Sequence, residues 1–251
     1  MSWYDGKHAL VTGGGSGIGA ATARILIDKG AVVTILGRNK ERLESTAESL
    51  GASPTVADVT NREAIGAAVA GAVSAQGPID ILINHAGVAE AVPFAKMPDE
   101  HWDRMLAVNL TGVYNCCKAV IGGMLDSGGG RIVNVASIAG LQGAAYIAGY
   151  CAAKHGVIGL TRALAKEFAR KDITVNAVCP GYVDTGIVQD AISNIVAKTG
   201  RGREEALAEL VKTNPQGRLI QPEEVADTIA WLCRQPSVNG QSITIDGGEV
   251  T

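Results

Sequence analysis

The stretch KHALVTGGGSGIGAATARILIDKG, residues 7–30, decides the fold. Lys7 to Val11 is a short apolar run of strand character, and apolar residues at helical spacing follow through Ala23 and Ile27 to Gly30. Between the two stands Thr12-Gly-Gly-Gly-Ser-Gly-Ile-Gly19. A turn without side chains lets backbone N–H groups approach a pyrophosphate at the N-terminus of the following helix. Glycine-rich turns also simply end strands, but at the first strand-to-helix junction this one points to a dinucleotide. Its spacing, Gly13-x-x-x-Gly17-x-Gly19, differs from the common G-x-G-x-x-G. The expected contacts are Gly13, Ser16, Gly17, Ile18 and Gly19.

Outward from this unit the chain keeps alternating. Ala31–Leu36, Pro54–Ala57, Ile79–Ile83, Arg131–Ala136, Ile173–Val178 and Ser242–Asp246 read as further strands. Lys40–Leu50, Arg62–Ala75, Asp99–Met124, the stretch through Tyr150 and Lys154, and Pro222–Cys233 read as helices. Such alternation implies a doubly wound, seven-stranded parallel sheet with helices on both faces, within a single domain spanning 1–251. Residues 184–220 break the rhythm. Val188, Ile192 and Val196, with Ile187, Ala191 and Ile195, form one apolar stripe, and Leu207, Leu210 and Val211 a second. They predict a small helical lid over the carboxyl ends of the strands, where ligands bind in such sheets.

Several residues fall at those ends. After the second strand, where an acidic residue would grip a ribose 2′-hydroxyl, stands Gly37 followed by Arg38. A planar guanidinium suits a 2′-phosphate, so NADP(H) is favoured over the alternative NAD(H); the plainer reading of Arg38 is a solvated loop cation. Asp58 and Val59 follow the third strand and are placed to flank an adenine. Asn84-His85-Ala86-Gly87 follows the fourth. Asn109 sits within a long helical stretch, where asparagine is mildly unfavourable, so a backbone distortion there is a functional cue.

Ser137 ends an apolar strand, thirteen residues before Tyr150, and Lys154 lies four residues beyond that tyrosine. Residues four apart share a helix face. An ammonium beside a phenol favours the phenolate, which makes the pair a general acid/base for an alcohol oxygen. The plainer reading is a half-buried helix face. Gln142, Tyr146, Tyr182 and Ile187 are the expected substrate-pocket residues, with the 88–94 loop beside them.

Composition narrows the class. With 22 Lys and Arg against 25 Asp and Glu, the formal charge is −3, which offers no footprint for nucleic acid or an anionic membrane. No apolar run is long enough to span a bilayer, and the polar start resembles no targeting segment; a cytoplasmic location is expected. Five cysteines lack metal-ligand spacing and read as buried thiols, and the four histidines form no cluster with carboxylates, so no metal site is expected.

Thr12–Gly19, Asn84-His85-Ala86-Gly87, Asn109, Ser137, Tyr150-x-x-x-Lys154 and Pro180-Gly181, in this order, resemble the marks of the short-chain dehydrogenase/reductases over essentially the full length. His85 departs from the family's second asparagine. The resemblance implies a Rossmann-type fold and an oxidoreductase moving hydride between NADP(H) and a carbonyl or secondary alcohol. It implies Tyr150 as acid/base, Ser137 positioning the carbonyl, Lys154 lowering the tyrosine pKa and bonding the nicotinamide ribose, and Asn109 holding a relay water. Ala86, Gly87, Pro180, Gly181, Val183 and Thr185 would add cofactor contacts, and a homotetramer is expected. Among relatives the sequence is most similar to 3-oxoacyl and polyketide ketoreductases. Gly128-Gly129-Gly130 stands where those place basic residues for a carrier protein, with Lys171 the remaining candidate.

Overall fold

The computed structural model describes residues 2–250, apart from the side chains of Ile187, Asn194, Ile195 and Lys198. In chain order the elements begin β1 (His8–Thr12), α1 (Gly17–Asp28), β2 (Val32–Gly37), α2 (Lys40–Leu50), β3 (Ser53–Val56), α3 (Arg62–Gln76) and β4 (Ile79–Asn84). Then come α4 (Asp99–Leu106), α5 (Gly112–Asp126), β5 (Gly130–Val135), α6 (Ala148–Phe168) and β6 (Ile173–Pro180). The chain closes with α7 (Gly186–Thr199), α8 (Arg203–Val211), α9 (Pro222–Cys233) and β7 (Ser242–Ile245).

The seven strands form one parallel sheet in the order β3-β2-β1-β4-β5-β6-β7. Alternate residues of a strand face opposite sides, and the two cores follow that rule. Ala9, Val11, Ile81, Ile83 and Val133 pack with Leu26 of α1, Leu43 of α2 and Ile229 of α9. Leu10, Leu82 and Ile132 pack on the other side with Ile65 of α3, Val120 of α5 and Val157 of α6. The central strands are therefore buried on both faces and read as continuous apolar runs.

β1 pairs with both β2 and β4, so the winding reverses there and opens a crevice beyond the carboxyl ends of β1 and β4. The Thr12 hydroxyl closes its base, accepting from the backbone N–H groups of His85 and Ala86 at 3.1 Å each.

The expected pair of lid helices is present as α7 and α8. They bury Val188, Ile192 and Ala206 against Val196, Leu207, Leu210 and Leu219 in a small core of their own. Among the described residues no helix is long and apolar enough to cross a membrane.

Candidate active site

The glycine-rich turn is shaped by close approaches. Gly13 has φ +67, and a Cβ there would lie 2.9 Å from the Ala86 nitrogen; one on Gly19 would meet the Gly13 carbonyl oxygen. Gly17 has φ +51, and its Cβ would stand 3.0 Å from Thr185 Cγ2, which brings the N-cap residue of α7 opposite the turn. Ser16 caps α1 with extended backbone, and Ile18 is buried in its first turn. His85, the departure from the family pattern, sets Nδ1 3.2 Å from the Gly13 carbonyl. Burial lowers its imidazole to about 4, so it is neutral and Nδ1 donates to that carbonyl.

An open groove of about 140 Å³ runs from Gly13, Gly37 and Arg38 past Asp58 and Val59 to Ala86, Gly87 and Val88. Of the expected dinucleotide contacts, Gly13, Arg38, Asp58, Val59, Ala86 and Gly87 line this groove. It offers what an adenine dinucleotide needs: turn backbone cleared of side chains, apolar walls, and a cation at the ribose end. Arg38 Nη1 lies 3.4 Å from Asp58 Oδ2 in an exposed ion pair. Burial raises the Asp58 carboxyl, but two hydrogen bonds from Thr60 and the Arg38 charge outweigh it and hold it below its usual range.

At Asn109 the helix is distorted into a π-helical turn over Ala107–Thr111, which splits the expected single helix into α4 and α5. Asn109 is fully buried. Its amide donates to the carbonyls of Val88 and Met105 at 3.0 Å each, and its oxygen accepts from Val88 N–H at 3.0 Å. The side chain expected to hold a water is thus bound to the 88–98 loop, which it ties beside Gly87.

Ser137 lies just past β5 and Tyr150 in the first turn of α6. Ser137 stands beside the Tyr150 phenol and lowers its pKa, while its own hydroxyl oxygen accepts from Ala139 N–H at 3.1 Å. Lys154 is buried, with Nζ 2.8 Å from the Val135 carbonyl and 5.5 Å from the Tyr150 ring centre. The phenol departs from expectation: burial raises it to about 12, aided by the neighbouring Cys151, Cys179 and Tyr182, and only Ser137 opposes this. The Lys154 ammonium, bonded to the Val135 carbonyl, is not among the groups that lower it. Burial also lowers Lys154 to about 8.

Behind the site a buried chain of polar side chains went unread in the sequence. Asn84 Nδ2 donates to Asn134 Oδ1 at 2.9 Å, Asn134 Nδ2 to the Thr161 hydroxyl at 2.9 Å, and that hydroxyl to the Val157 carbonyl of α6. It ties β4 and β5 to the tyrosine helix. An asparagine and a threonine at core-facing positions of apolar runs were the available signal.

At the mouth Gln142 and Tyr146 are exposed on the 141–147 loop, and Tyr182 is 39% exposed. Tyr146 adopts φ +69, and its carbonyl accepts from Val92 N–H at 2.8 Å, joining that loop to the 88–98 loop. The side chain of Ile187 lies outside the described residues. Gly181 N–H donates to the Ile245 carbonyl, and Val183 bridges Ile220, fixing the path from Pro180 to Thr185. No cluster of metal-ligating side chains occurs among the described residues.

Comparison with known proteins agrees with this geometry. A family profile described as short chain dehydrogenase matches residues 7–195. A 3-oxoacyl-acyl-carrier-protein reductase of Thermotoga maritima is 40% identical over 253 residues, covering 98% of each chain. A cyclohexanol dehydrogenase of an Acinetobacter species is 40% identical over 252 residues, covering 97% of this chain and 95% of the relative. Among solved structures, a variant of actinorhodin polyketide ketoreductase crystallised with NADPH superposes with a TM-score of 0.94 at 40% identity, covering 99% of both chains. The chain belongs to the short-chain dehydrogenase family of oxidoreductases.

Proposed function

We propose that this protein is an NADP(H)-dependent carbonyl reductase whose substrate is a β-keto acyl thioester or a similar small ketone. The observation that carries the reading is Ser137 beside the Tyr150 phenol, with buried Lys154 Nζ 5.5 Å from the centre of its ring.

In this reading the turn from Gly13 to Gly19 holds the pyrophosphate, Asp58 and Val59 flank the adenine, and Arg38 meets the 2′-phosphate. Asn84 to Gly87 and Pro180 to Thr185 line the path toward the nicotinamide. The bound nicotinamide supplies the hydride in reduction and receives it in oxidation. Ser137 orients the substrate oxygen. The Tyr150 hydroxyl, protonated at neutral pH, donates its proton to that oxygen as charge develops. Lys154 retains its proton at pH 7 and holds positive charge behind the ring. Asn109 keeps the 88–98 loop in place against Gly87.

The relative crystallised with NADPH supports the cofactor assignment. The NAD(H) alternative draws on the Arg38–Asp58 pair, in which the guanidinium already has a partner. An exposed pair of that length contributes little and yields readily to a dianion. The protein works in this reading as a single-domain homotetramer in the cytoplasm, with α7 and α8 as a lid; exposed Tyr114 and Leu125 on α5 are consistent with subunit contacts.

The substrate assignment is tested by NADPH consumption with acetoacetyl-CoA and with a free β-keto ester of the same reacting end. A far higher kcat/KM for the thioester means that the remote coenzyme arm contributes binding energy to the transition state. Equal values identify a small-ketone reductase, as Gly128-Gly129-Gly130 and the inward-folded Arg131, bound to the Asp172 carbonyl, suggest. Absence of turnover with both overturns the reading.

A further inference from the structure

Beside the glycine turn stands a second cation that the cofactor assignment leaves unused. We propose that Arg42, in the first turn of α2, is the second arm of a two-arginine clamp on the 2′-phosphate of an adenine dinucleotide. The inference rests on the NADP(H) reading and adds a residue that sets its specificity.

Gly37 and Arg38 line one part of the groove, and in the NADP(H) reading a 2′-phosphate would be held beside Arg38, near the glycine turn and α2. Gly15 is the turn residue facing α2. A Cβ on it would lie 3.5 Å from Leu43 Cδ1 and 3.8 Å from Arg42 Cγ, so the Arg42 stem runs alongside the turn. The Thr46 hydroxyl donates to the Gly15 carbonyl at 3.1 Å and fixes α2 against the turn at that spacing. Gly15 carries no side chain on the face turned to the Arg42 stem.

The other polar groups of this corner are committed elsewhere. The Asn39 side chain accepts from Arg42 N–H at 2.9 Å as the cap of α2. Lys40 Nζ turns along the helix to Glu44 at 3.8 Å. Arg38 is shared with Asp58. Arg42 alone of these has a side chain with no hydrogen bond or ion pair among the described residues, although its backbone is fixed by the cap. A phosphate monoester carries nearly two negative charges at neutral pH. Arg38, partly neutralised by Asp58, leaves room for a second cation, and a planar fork on the opposite side of the phosphate is the group that fits.

The test is equilibrium binding of NADPH and NADH, which differ only in the 2′-phosphate, followed by nicotinamide fluorescence. Wild type should bind NADPH more tightly. Arg42→Ala should weaken NADPH by about tenfold and leave NADH within about twofold. Lys40→Ala, which removes one charge from the same turn, should change NADPH affinity by less than about twofold. The inference fails if wild type prefers NADPH and Arg42→Ala keeps that preference. It also fails if Lys40→Ala costs as much, which would indicate a diffuse field, or if both cofactors weaken equally, which would indicate a role in the turn's fold. A wild type without preference would instead overturn the NADP(H) reading itself.

Discussion

Lys154 and Tyr150 stand one helical turn apart on α6, with the ammonium 5.5 Å from the ring centre and bonded at 2.8 Å to the Val135 carbonyl. The lysine thus lies behind the ring and is held to the end of β5. Its proton and the phenol's are both in place at neutral pH, because burial brings the lysine only to about 8 and takes the phenol to about 12. In the proposed reading the free protein is poised as an acid, which suits carbonyl reduction.

That poise predicts opposite pH responses for the two directions. Reduction needs the phenol protonated, so its rate should hold through neutral pH and fall in alkali. Oxidation needs the phenolate, so its rate should climb steadily with pH. Initial rates in both directions across the pH range check this; an oxidation rate that does not rise contradicts Tyr150 as the titrating group.

Burying Lys154 should cost stability at neutral pH. Its folded pKa of about 8 lies below the unfolded value of 10.5. Below about 8 both states hold the proton and the desolvation cost is fully present. Between the two values the unfolded chain binds more protons, so stability rises with pH. Lys154→Met should therefore unfold at a higher temperature than wild type at pH 7, with the gap closing toward the upper value. Thermal unfolding at several pH values reads the sign.

Removing the cation at the ribose end should shift cofactor choice. Arg38→Ala is expected to lower kcat/KM for NADPH by about tenfold or more while sparing NADH. An unchanged ratio would return the assignment to NAD(H).

The Thr12 hydroxyl should matter for both fold and crevice, since it satisfies two backbone N–H groups where the sheet reverses. Thr12→Val preserves shape and leaves both donors without this acceptor. The expected loss is about 1–3 kcal/mol in denaturant unfolding, together with weaker cofactor binding.

Much of this was legible in the sequence, for a definite reason. The Gly13–Gly19 turn and the alternating apolar runs are local signals, and they placed all seven strands and the lid helices. Asn109 was legible because asparagine disfavours a helix interior, and the π-turn appeared where that conflict lies. The rest depended on distance in three dimensions. The length of the Lys154 side chain does not reveal that Val135 captures it, and an Asn109 amide can serve a loop as well as a water. The Asn84–Asn134–Thr161 chain joins residues far apart in sequence, each unremarkable within its own run.

Turnover in the proposed mechanism depends most on the proton carried by Tyr150, and one substitution tests it. Tyr150→Phe keeps the ring and removes the hydroxyl. NADPH oxidation with a reactive ketone should fall by about 10²–10⁴-fold, with circular dichroism and NADPH binding unchanged. Turnover near wild type in a folded, cofactor-binding variant would contradict the assignment.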